Sequence, residues 1–121
     1  MKTAIIIIDH GSKYSAANDA LDLIVDLAKK KSPNCIVLGA HMELAEPSIH
    51  QAFKDCVEQG ASHIIAHPFM LSPGRHAIRD IPNIVDEVAL DYPNITYEVT
   101  PPLGCDERIV DVILSRCGVD S

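Results

Sequence analysis

Four short aliphatic runs, each followed by an amphipathic stretch, alternate through the whole of this sequence. Ala4-Ile5-Ile6-Ile7-Ile8 opens the series. It is strand length and offers no polar residue for a solvent face, so it reads as a strand buried on both sides. Ala17, Ala20, Leu21, Ile24, Leu27 and Ala28 then recur at helical spacing. Lys29-Lys30-Lys31 closes that helix, where positive charge suits the negative end of its dipole. The second run covers Cys35 to Ala40, and Pro47 opens a helix whose stripe is Ile49, Ala52, Phe53, Cys56 and Val57, ended by Gly60. Ile64 to Met70 is the third run. Asp80 is placed to cap a helix carrying Ile81, Ile84, Val85, Val88 and Ala89, closed by Tyr92-Pro93. Residues 95–100 alternate apolar and polar, which predicts an edge strand. Ile109, Val112, Ile113 and Cys117 supply a last amphipathic helix.

Strict strand–helix alternation leaves few topologies. Right-handed crossovers demand a parallel sheet with helices on both faces. The expected class is therefore α/β, an open four-stranded parallel sheet in the order 2-1-3-4. With 121 residues the chain can bury one sizeable core, so residues 1–121 are expected to form a single domain. No apolar run approaches the roughly 20 residues of a membrane helix. Met1-Lys2-Thr3 enters the first strand at once, so no leader and a cytoplasmic location are expected.

Seventeen acidic residues against ten Lys and Arg give a net charge of −7, which repels nucleic acid and anionic membrane alike. Trp is absent and aromatics are 4%, too few for a base-stacking platform. An anionic small molecule remains possible where a few cations gather. Cys35, Cys56, Cys105 and Cys117 form no Cys-x-x-Cys pair, which fits reduced, mostly buried thiols better than a disulfide frame or a zinc site.

The unusual polar residues all fall after strands. Asp9-His10-Gly11-Ser12-Lys13 follows the first, and residues 41–48 the second. Ser72-Pro73-Gly74-Arg75-His76 follows the third, and Pro101-Pro102-Leu103-Gly104 the fourth. In open α/β sheets that edge is where ligands bind. His10, Glu43 and His76 lie on three of these segments. Two imidazoles and a carboxylate can form part of a shell for Fe²⁺, Co²⁺ or Ni²⁺, or accept protons; singly, each can equally serve as a loop hydrogen-bonder. Lys13, Arg75 and Arg79 gather cations at the same edge, as carboxylate binders or as solvated loop charges. Gly74 and Gly104 either let a flat ligand approach the backbone or serve as turns. Asp9 either holds the loop after the first strand or orients His10. His50 and His63 read as structural, and His67 as a partly buried histidine with a hydrogen-bond partner.

Taken together, these segments resemble the short class II chelatases, which insert metal into sirohydrochlorin. The matching stretches are Asp9-His10-Gly11-Ser12, residues 40–49 from Ala40 to Ile49, residues 68–76 from Pro68 to His76, Asp80-Ile81-Pro82 and Pro102-Leu103-Gly104. Each is weak alone; in this order and spacing, across nearly the whole chain, they are specific. The resemblance implies a chelatase half with a flavodoxin-like sheet, acting on a reduced, carboxylate-rich tetrapyrrole in siroheme or cobalamin biosynthesis. It implies that His10 and His76 bind metal or accept pyrrole protons with Glu43 as partner, and that the chain pairs as a homodimer.

The stretch from Ala40 to Ile49 is most similar to the ferrochelatases, which favours Fe²⁺ over Co²⁺ or Ni²⁺ as the metal substrate. The cysteine-rich tail of the plant-type enzymes has no counterpart here, so no iron–sulfur cluster is expected. Lys13 stands where relatives commonly carry arginine, which keeps the charge but loses the bidentate fork.

Insertion removes two pyrrole protons and needs neither nucleotide nor organic cofactor. Ser12, Lys13, Arg75, Arg79 and Gly104 are the expected macrocycle contacts, with His10, Glu43 and His76 at the metal. The rival reading is a noncatalytic tetrapyrrole or metal carrier. A phosphoreceiver is excluded, because it needs an aspartate after the third strand, where this chain has Phe69-Met70-Leu71.

Overall fold

The computed structural model describes residues 2–72 and 74–119, with the side chain of His76 outside that description. The elements alternate as the pattern predicts: β1 (Thr3–Asp9), α1 (Ser15–Lys31), β2 (Ile36–His41), α2 (Ile49–Glu58), β3 (His63–Pro68), α3 (Arg75–Ala89), β4 (Thr96–Val99) and α4 (Glu107–Cys117). All pairings are parallel and the strand order is β2-β1-β3-β4. β1, the most aliphatic strand, lies between two neighbours, while the alternating β4 forms an edge as its mixed character requires.

The two faces of the sheet are packed unequally. On one, Ala4, Ile6, Ile8, Ile64 and Ala66 meet Ile49, Phe53 and Cys56 of α2 and Ile81, Val85 and Val88 of α3. Phe53 is fully buried and its ring lies 5.3 Å from that of Tyr92. On the other face, Ile7 and Val37 pack with Leu21 and Val25 of α1, a much smaller cluster. Gly39 of β2 sits under α1, where an added Cβ would stand 3.1–3.3 Å from Val25 and Leu21.

Three local expectations are corrected. Pro47 does not open α2; its carbonyl accepts the His41 N–H at 2.9 Å, so it belongs to the edge of β2. Ser48 is the cap, its Oγ accepting from the Gln51 N–H at 3.2 Å. Asp80 does not cap α3, which starts at Arg75 and contains Pro82. An interior proline costs about 3 kcal/mol, so something must offset it. Ala77, Ile81, Val85 and Val88 are all buried on one stripe, and their burial carries the helix through the proline. Arg75 and His76 consequently stand in the first turn of a helix rather than on a loop.

α4 is amphipathic, capped by Asp106 and closed by Gly118 at φ +72, yet buries no residue. Val110, Val112 and Ile113 are each at least half exposed. Near the carboxyl end of β4, a groove of about 360 Å³ is lined by Pro68, Ile78, Pro82, Val99, Pro101 and Pro102 among others.

Candidate functional site

At their carboxyl ends β1 and β2 do not separate. The ladder continues past the strands, with the Met42 N–H donating to the Asp9 carbonyl at 2.9 Å and Glu43 N–H to the His10 carbonyl at 3.1 Å. Gly11 makes this possible. Its φ is +94, and a Cβ there would lie 1.8 Å from the Glu43 carbonyl oxygen, so no other residue fits without moving the backbone.

This crossing brings the His10 and Glu43 side chains together, Nε2 to Oε1 at 3.0 Å, both more than half exposed. His10 stands at a cleft of about 420 Å³ whose wall also includes Asp9, Gly11, Ser12, Phe69, Met70, Ser72 and Gly74. Both apolar and polar groups therefore face the cavity. Ser12 is fixed by Asn18, which receives the Ser12 N–H on Oδ1 at 3.0 Å and returns an amide N–H to the Ser12 carbonyl at 2.8 Å.

The other expected contacts are less concentrated. Lys13 follows Ser12 and Arg75 follows Gly74, so each cation adjoins a cleft-lining residue without itself lining the cleft. Arg79 is exposed one turn further along α3. None of these three forms an ion pair among the described residues. Gly104 takes φ +66 and donates its N–H to the Leu71 carbonyl at 3.1 Å, tying the loop after β4 to the one after β3. That is turn duty. The expected third metal-facing group, the His76 side chain, lies outside the described residues. Among the described residues no three His, Cys, Asp or Glu side chains converge to hold a metal ion.

Two histidines are decided by their neighbours. His67 is half-buried and its Nδ1 lies 2.8 Å from Thr100 Oγ1; burial lowers its pKa, as the reading of a partnered structural histidine requires. His41 was read only as part of a loop. It is instead the last residue of β2, 3% exposed, with Nδ1–H donating to Asp9 Oδ1 at 2.5 Å. Asp9 thus orients His41, not His10. No local pattern marks this pair, because its members are 32 residues apart. The cysteines are not mostly buried as expected: Cys105 and Cys117 are exposed, Cys35 is half-buried, and Cys56, the one buried thiol, is pushed up to about 12 by burial and by Asp55, so it is inert as a nucleophile or ligand.

Residues 4–118 match the profile of the CbiX family. The chain belongs to that family. It is 46% identical over 112 residues to the sirohydrochlorin ferrochelatase of Arabidopsis thaliana chloroplasts, covering 93% of this chain and 50% of that one. It is 30% identical to the sirohydrochlorin cobaltochelatase of Methanocaldococcus jannaschii, covering 93% of this chain and 96% of the relative. Among solved structures, SirB from Bacillus subtilis with Fe³⁺ superposes with a TM-score of 0.88 at 33% identity, covering 99% of this chain and 49% of SirB. The chain thus spans about half the length of the ferrochelatase relatives it matches. The fold is that of the SirB structure, and the sheet order within this chain is the expected one.

Proposed function

We propose that this chain is a sirohydrochlorin chelatase that inserts a divalent metal, Fe²⁺ in preference, to form siroheme. The observation that carries the reading is His10, which lines an open cleft of about 420 Å³ and is paired with Glu43, in a CbiX-family chain. Imidazole and carboxylate are ligands for a divalent transition metal, and two of them leave coordination positions open. An ion held that way can pass to four pyrrole nitrogens, which a closed shell would prevent. His76, on the first turn of α3, is the proposed third group. The same bases accept the pyrrole protons as the metal enters.

Lys13, Arg75 and Arg79 would engage the macrocycle's carboxylates at the rim, while Phe69 and Met70 offer apolar contact to its plane. Ser12 and Gly104 complete the proposed substrate contacts. The metal is substrate, and insertion itself calls for no organic cofactor.

The proposed working unit is a cytoplasmic homodimer. Its support is α4, which buries no residue and leaves Val110, Val112 and Ile113 each at least half exposed. A second copy would cover that face.

Cobalt insertion is the second reading, favoured by one observation: relatives that this chain matches over 96% of their length are named cobaltochelatases. Anaerobic spectrophotometry of the protein with sirohydrochlorin and Fe²⁺, Co²⁺ or Ni²⁺ in turn separates these. Catalysed loss of the free-base spectrum, fastest with Fe²⁺, is expected, and His10→Ala or Glu43→Gln should lower the rate at least 100-fold, about 2.7 kcal/mol. Binding without acceleration by any metal would make the protein a carrier.

A further inference from the structure

We infer that the part-buried Asp9–His41 hydrogen bond is a positioning clamp that sets the spacing of His10 and Glu43, and through it the affinity of the site for metal. The inference rests on the reading that His10 and Glu43 hold the metal.

Asp9 and His41 are partners at the last rung of the β1–β2 ladder. His10 follows the first directly, and Glu43 lies two residues beyond the second. The side-chain bond between Asp9 and His41 is short, 2.5 Å, and His41 is almost fully enclosed. The pair it leads to is different: His10 and Glu43 are exposed on both sides, and water competes for their contact.

An exposed pair has little energy of its own with which to hold a geometry. Its backbone must be held from beneath, and four contacts do so: the two continuing ladder bonds, the close passage of Gly11 over Glu43, and the Asp9–His41 bond. Only the last is made by side chains, so only it can be removed without disturbing the main chain. Removing Asp9 leaves His41 enclosed and unpaired, and removing His41 leaves the Asp9 carboxylate without its partner at the cleft wall, whereas removing both leaves no orphan.

The experiment uses the whole protein and Co²⁺ alone, titrated under reducing conditions and followed by its visible absorption, with urea unfolding of each variant run beside it. His41→Leu is expected to weaken Co²⁺ binding by about 10-fold, the range typical when a partner behind a metal ligand is lost. His41→Asn, which can place an amide N–H where Nδ1–H was, is expected to recover most of it. In turnover, kcat/KM for the metal should fall while KM for sirohydrochlorin holds. A merely structural role predicts a lower unfolding midpoint with Co²⁺ affinity unchanged, and that result overturns the inference.

Should His41→Leu not fold, the Asp9→Leu/His41→Leu double variant removes both partners together, and wild-type Co²⁺ affinity there overturns the inference equally. His10→Ala and Glu43→Gln serve as controls. If both leave Co²⁺ binding untouched, the metal reading fails and the clamp with it; if they abolish binding and the clamp variants do not, the clamp alone fails.

Discussion

α2 and α4 are built by the same local rules and meet opposite fates. Each is a short amphipathic helix with a side-chain cap, Ser48 for one and Asp106 for the other. α2 buries Ile49, Ala52, Phe53 and Cys56 against the sheet; α4 buries nothing. The apolar stripe of a helix says that something must cover it, not what. For α2 the cover is the chain's own sheet, and beyond it the β1–β2 edge carries the site. For α4 the proposed cover is a second copy.

The sharpest way to break this contrast is to truncate both helices' apolar residues. Phe53→Ala should cost about 3–5 kcal/mol in urea unfolding, because a fully enclosed ring leaves a cavity. Ile113→Ala, made where the side chain is 53% exposed, should stay within about 0.5 kcal/mol in dilute protein. Equal costs would mean that α4 is packed on its own chain.

Glycine replacement gives a smaller effect of the same kind. Gly11 and Gly60 share a left-handed φ, +94 and +95, but only Gly11 faces a backbone atom within reach. Gly60→Ala should cost about 1 kcal/mol from conformation alone. Gly11→Ala should cost more than about 2 kcal/mol and also part His10 from Glu43, so metal insertion is lost with stability. Similar unfolding midpoints for the two would show that the crossing over Glu43 is loose.

At the α4 face, the midpoint of thermal unfolding should rise with protein concentration, as mass action requires of a dimer. Ile113→Asp should abolish that dependence and give a monomer in sedimentation. A concentration-dependent midpoint in this variant would place the contact elsewhere.

The smallest effect concerns pH. Burial holds the pKa of His67 below its ordinary value of 6.5, so the folded state resists a proton that the unfolded chain accepts. Stability should be level above about 6.5 from this source and decline as pH falls below it. His67→Asn should flatten that decline, which acid-range urea titrations would read.

Much of the architecture is legible before any coordinates. The aliphatic run 4–8 marks a doubly covered strand, the alternation over 95–100 an edge, and their order with the intervening stripes a parallel sheet. The strand ends of a parallel sheet share one edge, which puts His10 and Glu43 at the same edge, and the structure joins them at 3.0 Å. Pairings with no local period were not legible. Asp80 reads as a cap, yet lies inside α3, since the burial of Ala77 and Ile81 outweighs both capping preference and the proline that follows. His41 reads as a loop residue, yet closes β2 on Asp9.

By itself, then, the sequence determined the strand–helix alternation and the edge at which its reactive side chains gather, because those follow from periods of two and 3.6 residues along one stretch of chain. Only the tertiary structure decided that Asp9 grips His41, that Gly11 must pass over Glu43, and that α4 is left uncovered. Each of these depends on which distant atoms arrive beside a residue, and packing in three dimensions sets that, not spacing along the chain.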